Sequence, residues 1–299
     1  MAYGTPAKDE DIEPYYTHIR HGKKPNEVEL QDLKKRYAII GKRSPLLEIT
    51  QSTAAKLRKR LEPYQVQVYT GMKHWHPYIS EEFPKIVSDG TADLLSVALA
   101  PHYSKMSIGG YQDSVREANK SHGDTLKLSF VDSWHLNPVF IDKWSQRIKS
   151  TVANRFGSRE VYYLFTAHSL PERILAMNDP YKGQLLETSA RIAKNLGLDR
   201  NSIGFAFQSA GHTSEPWLGP DILEKLAQLA SERRKAVMVM PIGFVSDHLE
   251  ILFDIDKEAQ EVAYSLGIEL ARTESFNDSD DFIDILESVV RESGFLSQP

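Results

Sequence analysis

The feature that most constrains the fold of this chain is that it repeats itself. Met1-Ala-Tyr-Gly-Thr-Pro6 returns as Thr166-Ala-His-Ser-Leu-Pro171, Val68 to Glu81 returns as Phe205 to Asp221, and Ser96 to Pro101 returns as Val237 to Pro241, in the same order. Two copies of one α/β unit, facing each other, satisfy that pattern and set Tyr3 and His168 at equivalent places on opposite walls of a shared cleft. A flat ligand could be held there between an oxygen and a nitrogen.

Short apolar runs alternate with amphipathic stretches of helix length, which is the mark of parallel sheets wrapped by helices. The runs are Val66 to Met72, Leu94 to Pro101, Leu126 to Val131, Val161 to Ala167, Ile203 to Phe207, Val237 to Phe244 and Ile268 to Ala271. Helical periodicity is clearest over Val28 to Ile40, Ser52 to Leu61, Gln184 to Asn195, Asp221 to Arg233, Asp247 to Leu266 and Asp280 to Ser293. The expected architecture is therefore α/β, with two similar Rossmann-like lobes and the active-site cleft between them. Residues 1–138 form the first lobe, completed by a C-terminal helix over 279–299, and residues 139–278 form the second, with a breakpoint at Asn137-Pro138. Because MAYGTP reads as the end of a strand whose body is missing, the expectation is a truncated or misassigned start.

Composition narrows the function. Forty-one acidic against 36 basic residues give a net charge of -5 with no concentrated basic face, which argues against nucleic acid as a partner. Cysteine is absent, so disulfides, thiolate metal sites and cysteine-held iron–sulfur clusters are excluded. No apolar run approaches the roughly 18 to 20 residues that a transmembrane helix needs. A cytoplasmic protein, at most peripheral to a membrane, fits these facts.

Three groups of residues can carry chemistry. His168 ends an apolar strand and opens a tight turn, where a neutral imidazole can take a proton near pH 7; a strand-end histidine is as easily structural. Glu250, Asp254 and Glu258 recur every four residues and form an acidic ridge on a helix face, an arrangement whose self-repulsion invites a metal ion or protons. The plain alternative for Glu250 is a capping box with Asp247. Tyr15, Tyr16, His18, Arg20, Arg36, Tyr37, Arg43 and Ser44 make up the third group, joined by Tyr111 after Gly109-Gly110. Arginine forks and tyrosine phenols suit the carboxylates of a flat aromatic ligand.

These segments resemble the ferrochelatases, and most closely the water-soluble Gram-positive type that acts on coproporphyrin III. The resemblance rests on MAYGTP at 1–6, YYTHIRHGKKP at 15–25, LQDLKKRY at 30–37, SPL at 44–46, LAPHYS at 99–104, AHSLPE at 167–172, NDPY at 178–181, EPWLGPD at 215–221 and PIGFVSDHLEILFD at 241–254. It implies His168 and Glu250 as catalytic pair and metal ligands, with Asp254 and Glu258 extending the metal-binding ridge. Tyr3 is implied as the ligand approaching iron from the opposite face. Thr5, Arg20, Arg36, Tyr37, Ser44 and Tyr111 are implied to hold the macrocycle and its propionates. The chain departs from the pattern at Ala210, where relatives usually carry glutamate, and at Ile255 and Lys257 on the acidic helix.

The implied activity is insertion of Fe(II), a substrate, into coproporphyrin III, with no tightly bound cofactor and no iron–sulfur cluster. The implied state is a monomer that meets an iron donor or a downstream haem-pathway enzyme only transiently. Three alternatives stay open: a non-catalytic haem-binding or delivery protein, which has no need of the His168 and Glu250 pair; a ferrochelatase acting on protoporphyrin IX; and a cobalt-inserting chelatase, for which more metal-binding histidines are expected.

Overall fold

The computed structural model describes residues 1–211 and 214–296. His212 and Thr213 of the second repeat, and residues 297–299 of the expected C-terminal helix, lie outside the described residues.

Two parallel sheets organise the chain. In the first half, β1 (Asp93–Val97) pairs with β2 (Lys127–Val131). In the second, β3 (Tyr162–His168), β4 (Ile203–Gln208), β5 (Ala236–Met240) and β6 (Glu269–Arg272) pair in the order β4-β3-β5-β6. The first half shows the same order once its isolated bridges are included. Ala2 N–H donates to the Gly71 carbonyl at 3.1 Å, and Leu99 N–H donates to the Met1 carbonyl at 2.8 Å. Met1 and Ala2 thus run between the 71–73 segment and β1, as β3 runs between β4 and β5. The turn that follows is also shared. Met72 N–H donates to Pro77 and Phe207 N–H to Pro220, and both prolines follow cis peptide bonds. The two-lobed fold expected from the repeat is the fold the chain adopts.

One expected strand does not form as such. Val66 to Met72 makes only bridges at Met72, to Ala2 and to Tyr78, and no continuous ladder.

Helices cover the sheets. The first half carries α1 (Ile12–Ile19), α2 (Glu27–Ile39), α3 (Leu46–Leu61), α4 (Ile79–Ser88) and α5 (Gly110–Ser121). The second carries α6 (Pro138–Arg155), α7 (Arg173–Ala176), α8 (Tyr181–Leu196), α9 (Ile222–Ser231), α10 (Gln260–Ser265) and α11 (Asp280–Glu292). Asn137-Pro138, read from sequence as a breakpoint, is the start of α6: the Asn137 side chain accepts from Phe140 N–H at 3.1 Å, and Pro138 takes the first helical position, where its missing N–H costs nothing. On α11, Asp284 and Glu287 each accept from Arg60 of α3 at 2.8 Å, so the C-terminal helix lies against the first half.

Strand β5 lies at the centre of the second sheet. All five of its residues are buried, as a central parallel strand requires. Ala236, Met238 and Met240 face a core built on Trp144, Phe276 and Phe282, while Val237 and Val239 face Leu226, Ile251 and Ile255. Phe276 is 1% exposed and meets Trp144 edge-on at 5.0 Å and Phe282 stacked at 6.1 Å. Phe276→Ala is expected to cost about 3–5 kcal/mol of stability, read as a lower urea midpoint with little change in slope.

The helix expected over Asp247 to Leu266 is of a different kind. Glu250–Ala259 is π-helical, and α-helix resumes only at Gln260. Ile251, Ile255 and Ala259 are fully buried on its inner face, so residues four apart still share a side and the acidic ridge survives the change. Periodicity of four cannot separate the two helix types, and π turns occur frequently at functional sites.

Candidate active site

His168 is the last residue of β3, at the carboxyl edge where parallel sheets bind ligands. Its surroundings fix it. Ser169 N–H donates to the Gln208 carbonyl at 2.7 Å, the Ser169 hydroxyl donates to the Leu218 carbonyl at 2.7 Å, and the Tyr181 hydroxyl donates to the His168 carbonyl at 2.9 Å. Trp217 and Phe244 flank the ring at 6.5 and 6.3 Å. Nδ1 meets the Ser169 carbonyl. A carbonyl only accepts, so Nδ1 keeps its proton and Nε2 is the nitrogen that gains and loses one.

Nε2 lies 3.4 Å from Glu250 Oε1, and Glu250 Oε2 lies 3.4 Å from His248 Nε2. Burial opposes a charged imidazole, but the Glu250 carboxylate and the Ser169 carbonyl outweigh it and hold the His168 pKa above the ordinary range. Burial likewise opposes ionisation of Glu250, and His168 and His248 overcome it, holding that carboxyl well below the usual range. The side chains are 28% and 32% exposed, open enough for a ligand to reach them. Glu250 is not a capping residue. Asp247 instead accepts from Ser275 at 2.7 Å and Asn277 at 3.1 Å and pairs with Arg272.

One helical turn on, Asp254 is 6% exposed, accepts from the Ser209 hydroxyl and sits 3.7 Å from Arg36 NH1. Burial and the nearby Glu250 charge push its pKa up to about 6 against the pull of Ser209 and Arg36. Glu258, the next residue of the ridge, is partly exposed. Among the described residues no group of three or more His, Asp or Glu side chains is arranged to hold a metal ion.

The opposite wall comes from the first half. Gly4, with φ of 95°, turns the chain after Tyr3; a side chain there would collide with the Trp75 backbone. Tyr3 is 42% exposed and its ring lies 4.5 Å from that of His74. Thr5 and Tyr37 are buried and share a 3.3 Å hydrogen bond, and Tyr111 is 6% exposed. Burial raises the pKa of the Tyr37 and Tyr111 phenols, Tyr37 to about 12, and the Glu250 charge raises both and that of the more exposed Tyr3. The charge of the Glu250 carboxylate in one half thus bears on three phenols of the other.

The remaining sequence candidates are placed less directly. Arg36 bridges the halves, bonded to Asp32 at 2.9 Å and lying over the Phe253 ring at 5.0 Å. Arg20 is held by Glu29 at 2.5 Å, beside Tyr16. Ser44 is buried, and its hydroxyl accepts from Leu46 N–H in the first turn of α3. Sequence reasoning passed over three participants: His248, Ser209 and His74. His248 had a signal, since it stands two residues before Glu250; Ser209 and His74 are brought in only by the folded chain.

A sheet-edge imidazole paired with a carboxylate, facing phenols across a cleft between two α/β lobes, defines the class: a tetrapyrrole chelatase. The solved structure of the sirohydrochlorin chelatase SirB from Bacillus subtilis subspecies spizizenii, in complex with cobalt, shares the fold with a TM-score of 0.54 at 13% identity, over 82% of this chain and 88% of that one. The ferrochelatase family profile matches residues 1–294. The ferrochelatase of Herpetosiphon aurantiacus is 44% identical over 296 residues, covering 97% of this chain and 96% of that protein. The coproporphyrin III ferrochelatase of Anoxybacillus flavithermus is 45% identical over 298 residues, covering 97% and 93%. The chain belongs to the ferrochelatase family.

Proposed function

We propose that this ferrochelatase inserts Fe(II) into coproporphyrin III, yielding the iron porphyrin and two protons, with His168 as the base. The observation that carries the reading is the His168–Glu250 pair set opposite Tyr3, Tyr37 and Tyr111. The ring, held bent between the lobes, presents a pyrrole N–H to His168 Nε2. Glu250 stabilises the imidazolium and relays its proton to Asp254, whose pKa near 6 suits a group that both takes and gives a proton near neutrality. Glu258 passes it to solvent. Tyr3 holds iron on the other face.

Porphyrin and iron are substrates, and the protein works as a monomer with no resident cofactor and no iron–sulfur cluster. No helix among the described residues is long and apolar enough to cross a membrane, which supports action in the cytoplasm with transient iron-donor or haem-pathway partners. Thr5, Arg20, Arg36, Tyr37, Ser44 and Tyr111 make up the propionate-binding side. In that role Arg20 exchanges Glu29 for substrate, and Ser44 contributes through the start of α3.

The choice of coproporphyrin III is supported by the likeness to the coproporphyrin III ferrochelatase of Anoxybacillus flavithermus and by the arginines and phenols of the first half. Two more carboxylates than protoporphyrin IX carries give further charge-assisted contacts, so kcat/KM for coproporphyrin III is expected to be higher by about tenfold or more. Equal kcat/KM for the two porphyrins in one detergent-free buffer would contradict the choice.

A further inference from the structure

The unassigned group that the structure leaves most exposed to explanation is the ammonium of Lys73. It is half-buried beside Tyr111, with Nζ 5.3 Å from the ring centroid. Among the described residues no carboxylate lies within 4.0 Å of it, although more exposed lysines such as Lys85 and Lys56 have such partners. Asp113, the acid that favours its charge, is bonded to Arg116 at 2.8 Å. A cation withdrawn from water without an anion is costly unless something else supplies one.

Two further observations say where that anion comes from. Lys73 N–H donates to the Ala2 carbonyl and the ring of the next residue, His74, packs at a tilt against that of Tyr3, so the lysine stands next to the phenol wall of the cleft. Gly110 makes room for the ammonium: a β-carbon on this residue would lie 2.2 Å from Nζ. Gly110 has an ordinary helical φ of -65°, so its lack of a side chain serves the lysine and not the backbone.

We propose that Lys73, whose ammonium lies in the gap that Gly110 leaves beside Tyr111, binds a carboxylate of the porphyrin and is a specificity-determining residue of this site. The inference rests on the reading of the protein as a porphyrin chelatase. It adds a cationic contact on the phenol wall to those of Arg20 and Arg36. An anion there completes the charge pair that the lysine lacks, and the cation–π contact with Tyr111 holds the ammonium in place for it.

The test is the dissociation constant of coproporphyrin III, followed by porphyrin fluorescence at several salt concentrations in the absence of iron, for the full chain. Lys73→Gln is expected to weaken binding by about tenfold and to flatten its dependence on salt, because one charge pair is gone. Lys73→Arg keeps the charge and should restore most of the affinity. Gly110→Ala keeps the lysine but pushes its ammonium aside; it should weaken binding while thermal stability stays level or rises, since alanine suits a helix better. If Lys73→Gln and Gly110→Ala bind with wild-type affinity and salt dependence, the inference is wrong. If the wild-type chain does not bind coproporphyrin III at all, the functional reading itself fails, and the two outcomes are distinct.

Discussion

Replacement of His168 by alanine is expected to lower the rate of iron insertion by about a thousandfold while leaving porphyrin affinity within about tenfold. The split follows from position. His168 is anchored through Ser169, Gln208 and Tyr181 so that only Nε2 is presented for exchange, whereas the groups proposed to grip carboxylates belong to the first half of the chain. Removing the imbedded base leaves the clamp. Single-turnover metalation and porphyrin fluorescence, measured on one preparation, separate the two quantities. A variant inserting iron at near the wild-type rate would remove His168 from the mechanism.

Glu250→Gln is expected to cost about a hundredfold and to move the pH profile in a defined direction. The base must be neutral to take a pyrrole proton, so activity rises with pH through the His168 pKa. In the wild type that pKa is held above the ordinary imidazole value by Glu250, outweighing burial. Without the carboxylate burial prevails, the pKa falls, and the rising limb shifts to lower pH. A limb that stays in place, or moves up, would show that Glu250 does not govern the imidazole. A purely structural role for Glu250 would lower the rate and leave the limb where it is.

Much of this arrangement is legible in the sequence because it follows from local rules. The repeat of MAYGTP in TAHSLP places Tyr3 and His168 at matching strand ends, and the same parallel order recurs around Met1–Ala2 and β3. The spacing of Glu250, Asp254 and Glu258 gives a one-sided ridge whichever helix type forms. What the sequence does not reveal depends on partners distant in the chain. Glu250 reads equally well as a capping residue until Asp247 is seen to be taken by Ser275, Asn277 and Arg272. Ser44 reads as one member of a polar cluster, and only the folded chain shows it buried at the start of α3. Asn137-Pro138 has the composition of a linker and of a helix start alike, and only the eighteen helical residues that follow decide between them. Lys73 carries no motif; its meaning lies in a missing partner and in the room that Gly110 leaves for its ammonium.

The most direct test of the central claim is anaerobic mixing of the purified protein with coproporphyrin III and Fe(II), with the absorption spectrum recorded beside that of His168→Ala. The predicted result is replacement of the free-base spectrum by that of the iron porphyrin in the wild type, with the free base persisting in the variant. A wild type that binds the porphyrin and leaves it metal-free would contradict the account and favour a carrier. A variant that metalates as fast as the wild type would contradict the assignment of the base.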